Sequence, residues 1–287
     1  PKYYEKDPTP IVSLFYFVFF GMMVADIGYG LLLTLATGFA LKAFQLQPSA
    51  AKNLRFFCLL GISVALWGVV YGSSFGFEMP FALISTTTNA MTILILSVVF
   101  GFITVLVGLF LGGMKNVRLK DYTEAYNAGF AWVLILLGLM LLAVGNILPG
   151  LSYLVPIGQW LAILNAIGIL VVSIVSAKKL SGLAAGLFNL YNVSGYVGDL
   201  VSFTRLMALG LAGASIGSAF NLIVNLFPTL GRFTVGLVLF VLLHAINMFL
   251  SFLSGYVHGA RLIFVEFFGK FYEGGGKPFR PLKPSER

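Results

Sequence analysis

The residues able to do chemistry in this sequence are charges set into apolar surroundings: Asp26, Asp199, Arg205, Arg261 and Glu266. A charge at the centre of a bilayer costs about 2.5–3.5 kcal/mol even on insertion scales, so each needs a compensating role. Arg205 lies in YNVSGYVGDLVSFTRLMALGLAGASIG, flanked by enough apolar sequence to keep its guanidinium from water. Asp199 is six residues away, which puts the two on different helical faces and argues against an ion pair within the helix. Arginine stays protonated at any relevant pH, so the chemistry is that of a permanent charge that attracts an anion and turns back a cation.

His244, Asn247, Ser251, Ser254, His258 and Arg261 are spaced 3, 4, 3, 4 and 3, one polar stripe on a single helical face about 25 Å long. Such a stripe serves a hydrated ion path or, in the plainer alternative, holds helices together through polar contacts worth about 0.6–2 kcal/mol each. A second series, Asn189, Asn192, Tyr196 and Asp199, leads at helical spacing toward Ser202 and Arg205. Beyond the arginine, Gly210, Gly213 and Gly217 form a small-residue surface for packing within the chain or for a docking partner. Ser215, Ser218 and Asn221 then restore polarity. No nucleophile and base stand together. The two stripe histidines, 14 apart without flanking carboxylates, make a poor metal site. Cys58 stands alone, which excludes an internal disulfide. Residues 273–277, EGGGK, lack phosphate-loop spacing and read as a flexible exit.

Membrane helices must position these groups. Of 287 residues, 18 are basic and 10 acidic, and 59% are hydrophobic, whereas soluble domains are about a quarter charged. A soluble fold and a soluble catalytic domain are excluded. The formal charge of +8 falls in short clusters between apolar stretches, which marks topology by the positive-inside rule and not nucleic-acid binding. Apolar intervals at 56–77 and 79–114, and an uncharged 125–177 with a turn at Asn146, Pro149 and Gly150, mark four spans. The stretch from Ser181 to Phe227 would make about 70 Å of helix, so it tilts, kinks near Gly195 and Gly198, or divides; Arg232 to Phe271 would make about 60 Å.

The expected fold is thus an all-α integral membrane protein: 1–180 as a first set of helices, 181–272 as a long, strongly tilted pair, and 273–287 as a cytoplasmic tail. Lys42, Lys52, Arg55, the 115–120 cluster, Lys178 and Lys179 fall on the cytoplasmic side. Residues 10–43, with Asp26 in the middle, form either one long crossing or two short helices turning at Asp26. The opening PKYYEKDPTP reads as the continuation of an upstream domain.

DPTPIVSLFYFVFFGMMVADIGYG, GDLVSFTRLMALGLA and HGARLIFVEFFGKFYEGGGKPFRPL together resemble the membrane domain of the large stator subunit of V/A-type rotary ATPases. That subunit is called a in eukaryotes and I in bacteria and archaea, and the resemblance covers essentially the whole chain. It implies a cytoplasmic N-terminal domain upstream, about eight crossings, and a short helix pair with its structural turn at Asp26. It places Arg205 and Arg261 on two tilted helices against a rotating proteolipid c-ring whose subunits carry carboxylates. The polar series would line two ion half-channels, with Asp199 and Glu266 as mouth or relay carboxylates.

The resemblance further implies no covalently bound cofactor, no metal and no ATP site in this chain; the cargo would be H⁺ or Na⁺. Partners would be the c-ring, peripheral-stalk subunits reached through the upstream domain, central-stalk subunit d (C) nearby, and the lipid bilayer. The location would be multi-pass in a bacterial or archaeal cell membrane. Eukaryotic proton-pumping relatives carry a glutamate where this sequence has Ser251, so the ion stays open. The alternative is a self-contained secondary transporter, whose expected mark is two related halves with interrupted helices; no such internal symmetry is visible.

Overall fold

The computed structural model describes residues 2, 5, 7–86, 88–148, 150–177 and 181–276. Pro149, Lys178, Lys179 and the tail from 277 onward, used above for a turn, a charge cluster and a cytoplasmic exit, lie outside the described residues. The described chain is largely helical: α1 Thr9–Val24, α2 Ile27–Ala43, α3 Pro48–Tyr71, α4 Ala90–Arg118, α5 Tyr122–Ile147, α6 Leu154–Ala177, α7 Gly182–Asn225 and α8 Arg232–Lys270. Six of these, α3 to α8, are long and apolar enough to cross a membrane. The other two, of 16 and 17 residues, reach about 25 Å, short of a 30 Å hydrocarbon core.

The all-helical expectation needs one addition. Between α3 and α4 a two-stranded antiparallel hairpin pairs Ser73–Ser74 (β1) with Phe77–Glu78 (β2). Its turn residues Phe75 and Gly76 both have positive φ, 50° and 71°, the conformation of a two-residue hairpin turn. Strands of two residues are too short to leave a periodic signal in sequence.

The helices fall into two compact units. One comprises residues 10–103 and 197–264, the other residues 1–9, 104–196 and 265 onward. In the first, α1 ends at Ala25 (φ 37°) and Asp26 caps α2, accepting the backbone N–H of Tyr29 at 3.1 Å. Antiparallel α2 and α3 meet backbone to backbone: a Cβ added at Gly68 would lie 2.4 Å from the Ile27 nitrogen. Phe19, Phe20, Met22, Met23, Val64, Phe203 and Leu206 form the core.

The overlong α7 is interrupted at Asn192 and at Phe203, not at the glycines. Gly195 and Gly198 sit inside a regular helix, Val193–Ser202, with open space around them. Phe203 is fully buried, edge-on to Phe19 at 5.6 Å and against Gly101. At Asn192 an i−3 bond to the Asn189 carbonyl (3.1 Å) tightens the turn. Tertiary packing and a tightened backbone turn mark the breaks, not the glycines.

In the second unit α5 and α6 form another hairpin, their backbones in contact at Gly138 and Gly158. A π-helical turn, Tyr126–Phe130, is set into α5, and another, Leu262–Phe267, closes α8. The unit is fastened by a charged clasp: Lys115 Nζ donates to Glu5 (3.3 Å), Glu273 (2.8 Å) and the Phe271 carbonyl (3.2 Å), while the Glu273 N–H donates to Glu5 (2.8 Å).

Burial alone would raise the Glu5 pKa, but the N–H groups of Lys2 and Glu273 and the Lys115 ammonium outweigh it and hold it below the usual glutamate value. A depressed folded-state pKa stabilises above the ordinary glutamate range and is lost as pH falls through the lowered value, so the clasp is closed at neutral pH and opens only in acid. Lys115→Met is expected to cost about 1–2 kcal/mol, the worth of a charge-assisted contact in partly exposed surroundings. Thermal unfolding of the detergent-solubilised protein at low and high salt checks this, the loss shrinking as salt rises.

Candidate functional site

Within the first unit, Thr204–Asn225 of α7 and Leu237–Arg261 of α8 pack side by side, and His244, Asn247, Ser251 and Ser254 of the α8 stripe lie along that seam. Arg205 is half-buried. Its Nη2 donates to Ser202 Oγ one turn earlier at 3.3 Å, and its Nη1 is buried without a hydrogen-bond partner among the described residues. His258 lies within electrostatic range of both Arg205 and Arg261, and its Nδ1 is likewise buried and unpaired. Arg261 is exposed on this chain. Asp199 and Ser202 are half-buried on the α7 side.

The α8 stripe is not uniform along its length. His244 and Asn247, only 3% and 2% exposed, are tied into a closed network. Asn247 Nδ2 donates to the Tyr29 hydroxyl (3.0 Å) and to the Gly213 carbonyl (3.2 Å). With that donor on its oxygen, the Tyr29 hydroxyl donates to His244 Nδ1 at 2.7 Å. His244 Nε2 then donates to Asn221 Oδ1 at 3.1 Å, and Asn221 Nδ2 to the Phe75 carbonyl at 2.8 Å. The chain of donors fixes the histidine tautomer and ends on a backbone carbonyl. The imidazole is boxed by Phe240, Phe75 and Phe220, the nearest ring centroid 4.3 Å away. The arrangement ties α2, the β-hairpin, α7 and α8 together at one buried point.

Further along the stripe the character changes. Ser251 and Ser254 are half-buried and line a cavity of about 80 Å³ with Asn247, Gly213 and Met23, large enough to hold water. Ser215 and Ser218 are exposed and stand apart from the network.

Asp26 is 4% exposed and organises the same end of the unit. Besides Tyr29 N, it accepts from Ser73 Oγ (3.1 Å), Phe75 N (3.0 Å) and Gly76 N (3.2 Å), so the α1–α2 turn and the hairpin hang on one carboxylate. Close approach completes the joint: the Gly217 and Gly76 backbones leave no room for a Cβ at Gly76.

The remaining sequence-derived residues belong to the second unit. Asn189 donates to the Asn127 carbonyl (3.1 Å) and accepts from Trp132 Nε1 (3.2 Å) and Asn192 Nδ2 (3.3 Å). Tyr196 is buried against Trp132, with ring centroids 4.8 Å apart, and Lys270 Nζ sits 4.4 Å above its ring. Glu266 is 3% exposed within the π-helical end of α8.

The sequence scan missed Tyr29, Ser73, Asn127 and Trp132. Tyr29 had a signal in its place between two glycines after Asp26; Asn127 had one as a polar residue in the uncharged 125–177 interval.

Six apolar spans and a buried polar seam between two of the longest helices define an integral membrane protein of the polytopic helical class. Along nearly its whole length the chain is homologous to subunit I of A-type and V-type ATP synthases, and it belongs to that family. It is 31% identical to A-type ATP synthase subunit I of Methanocaldococcus jannaschii over 320 residues, covering 99% of this chain and 46% of that relative. The Pyrococcus abyssi A-type protein is also 31% identical, covering 98% and 44%. V-type ATP synthase subunit I of Borreliella burgdorferi is 27% identical, covering 100% and 51%. The chain spans about half the length of the curated relatives it matches. No family model matches it.

Proposed function

We propose that this chain is the membrane part of a stator subunit in a V/A-type rotary ATPase of a bacterial or archaeal cell membrane, where it forms the ion path with a rotating proteolipid ring. The observation that carries this reading is the Nη1 of Arg205, a buried guanidinium nitrogen with no hydrogen-bond partner among the described residues. Such a group is costly to leave unpaired and is completed by an anionic partner from outside. A ring carboxylate emptied of its ion is such a partner. At about 4 Å and an effective dielectric near 20 the attraction is on the order of 4 kcal/mol, enough to help release the ion yet weak enough to let the ring move on.

In this reading α1 and α2 add two short crossings to the six longer ones, giving about eight. Residues 181–272 form the tilted pair facing the ring, and Arg261 and His258 extend the positive barrier of Arg205, with Asp199 and Ser202 on the α7 side of it. Ser251 and Ser254 border one wetted path, with Asn221, His244 and Asn247 holding its wall; Asn189, Asn192, Tyr196 and Glu266 border the other. The chain carries no nucleotide chemistry, which belongs to other subunits, and it meets peripheral and central stalks outside the bilayer.

The test is ATP-driven ²²Na⁺ uptake and proton pumping by vesicles holding the whole complex, with and without a protonophore, for wild type and Arg205→Gln. Na⁺ uptake that survives the protonophore and vanishes in the variant assigns a sodium motor; proton pumping lost in the variant assigns a proton motor. Transport unchanged by Arg205→Gln sinks the proposal.

A further inference from the structure

We infer that the second unit contains a cation-collecting vestibule whose binding groups are Glu124 and Asn127 on α5, residues outside both polar series of α7 and α8. The inference rests on the stator reading and gives one of its half-channels an entry site. A cavity of about 310 Å³ is lined by Glu124, Asn127, Ser173, Asn189, Asn192 and Tyr196 among others, space for several water molecules and therefore for a monovalent cation that keeps much of its hydration shell.

Asn127 is 7% exposed, its Nδ2 is held by Ser173 Oγ at 3.2 Å, and its Oδ1 is buried with no hydrogen-bond partner among the described residues. An unpaired buried carbonyl oxygen lining a roomy polar cavity is an acceptor waiting for water or a cation. The π-helical turn Tyr126–Phe130 contains this residue, a backbone irregularity that recurs at functional sites.

Charge selects what the cavity takes. Among the described residues that line it, Glu124 alone is charged, and it follows the basic 115–120 cluster, on the side that the positive-inside rule assigns to the cytoplasm. A neighbouring cavity of about 310 Å³ shares Ala128, Asn192 and Tyr196 but is lined by Lys270 in place of Glu124. Two chambers of like size that share Tyr196 thus carry opposite signs. The cation belongs in the Glu124 chamber, and the Lys270 ammonium, held over the Tyr196 ring, repels it from the other. Asn189 and Asn192, which the sequence placed on a channel face, are here the wall of this chamber.

The experiment uses proteoliposomes holding the complete complex and measures the initial rate of ATP-driven uptake while Na⁺ is varied at fixed pH and pH is varied at fixed Na⁺. Glu124→Gln is expected to raise the half-saturating concentration of the transported ion roughly 5-fold while leaving the maximal rate within about twofold, the effect of removing one unit charge at contact distance in water-like surroundings. Glu124→Asp restores it. Asn127→Asp, which places a second carboxylate in the chamber, lowers it. Half-saturation unchanged in both Glu124→Gln and Asn127→Asp, or a fall in maximal rate alone, overturns the vestibule. Arg205→Gln is assayed alongside: if it abolishes transport while the α5 variants behave as wild type, the vestibule fails and the stator reading stands. If it leaves transport intact, both fail.

Discussion

Replacing Asp26 by alanine is expected to destabilise the protein by on the order of 4 kcal/mol or more. The carboxylate accepts four hydrogen bonds, from Tyr29 N, Phe75 N, Gly76 N and Ser73 Oγ. Alanine leaves three backbone N–H groups without an acceptor where water is scarce. Each such donor costs about 1–3 kcal/mol, and hydrogen bonds to a charged acceptor are the stronger kind. The loss also reaches the network beyond, because Phe75 supplies the carbonyl that holds Asn221 and Tyr29 supplies the hydroxyl that holds His244 and Asn247. An asparagine at this position would keep one acceptor oxygen and turn donors toward donors, so Asp26→Asn should fall between alanine and wild type. The check is the thermal midpoint of the solubilised protein. Wild-type stability in both variants would show that the hairpin holds itself.

Arg205→Lys should reduce coupled ion transport about 10- to 100-fold although it keeps the positive charge, the worth of one charge-assisted hydrogen bond at 1.5–3 kcal/mol. Arginine spends one nitrogen on Ser202 and has another, Nη1, buried with no partner among the described residues, the one that the proposed anion would take. Lysine's single ammonium cannot hold both directions at a fixed angle, and unlike a guanidinium it can lose its proton in a dry site. Initial rates of ATP-driven uptake in vesicles, normalised to ATP hydrolysis, decide it. Transport equal to wild type would mean that charge alone is sufficient and that the geometry around Ser202 carries no part of the function.

Much of this architecture is written in the sequence as hydropathy and spacing. The six long helices stand out because charges bracket them, and the 3, 4, 3, 4, 3 stripe runs down one helical face. Sequence points to Gly195 and Gly198 for the break in α7 because glycine marks where a helix can bend, whereas Phe19 and Gly101 decide where it does. The unequal fates of the stripe residues are also hidden. His244 and Asn247 are sealed by Tyr29 and Asn221, from segments 215 and 23 residues away from His244 along the chain, and no local pattern encodes such partners. Past Arg261 the helix continues as a π-helical turn, Leu262–Phe267, a change of winding that hydropathy and spacing do not announce. Asn127 sits in a similar turn and is one of several polar residues in the uncharged 125–177 interval, so nothing in the sequence set it apart from the others.

The Lys115 clasp has a mechanical consequence. It joins the segment that precedes α1, the last turn of α4 and the residues that follow α8 through one ammonium and two carboxylates. A pull applied through the chain ahead of Thr9 is therefore not borne by α1 alone; it divides at Glu5 and is shared with the ends of α4 and α8. Links of this kind yield and re-form without breaking a covalent or packed structure, and their stiffness falls as ionic strength rises. The protein is moored at that end by a compliant, salt-tuned fastening where a rigid weld would pass every jolt directly into the helices.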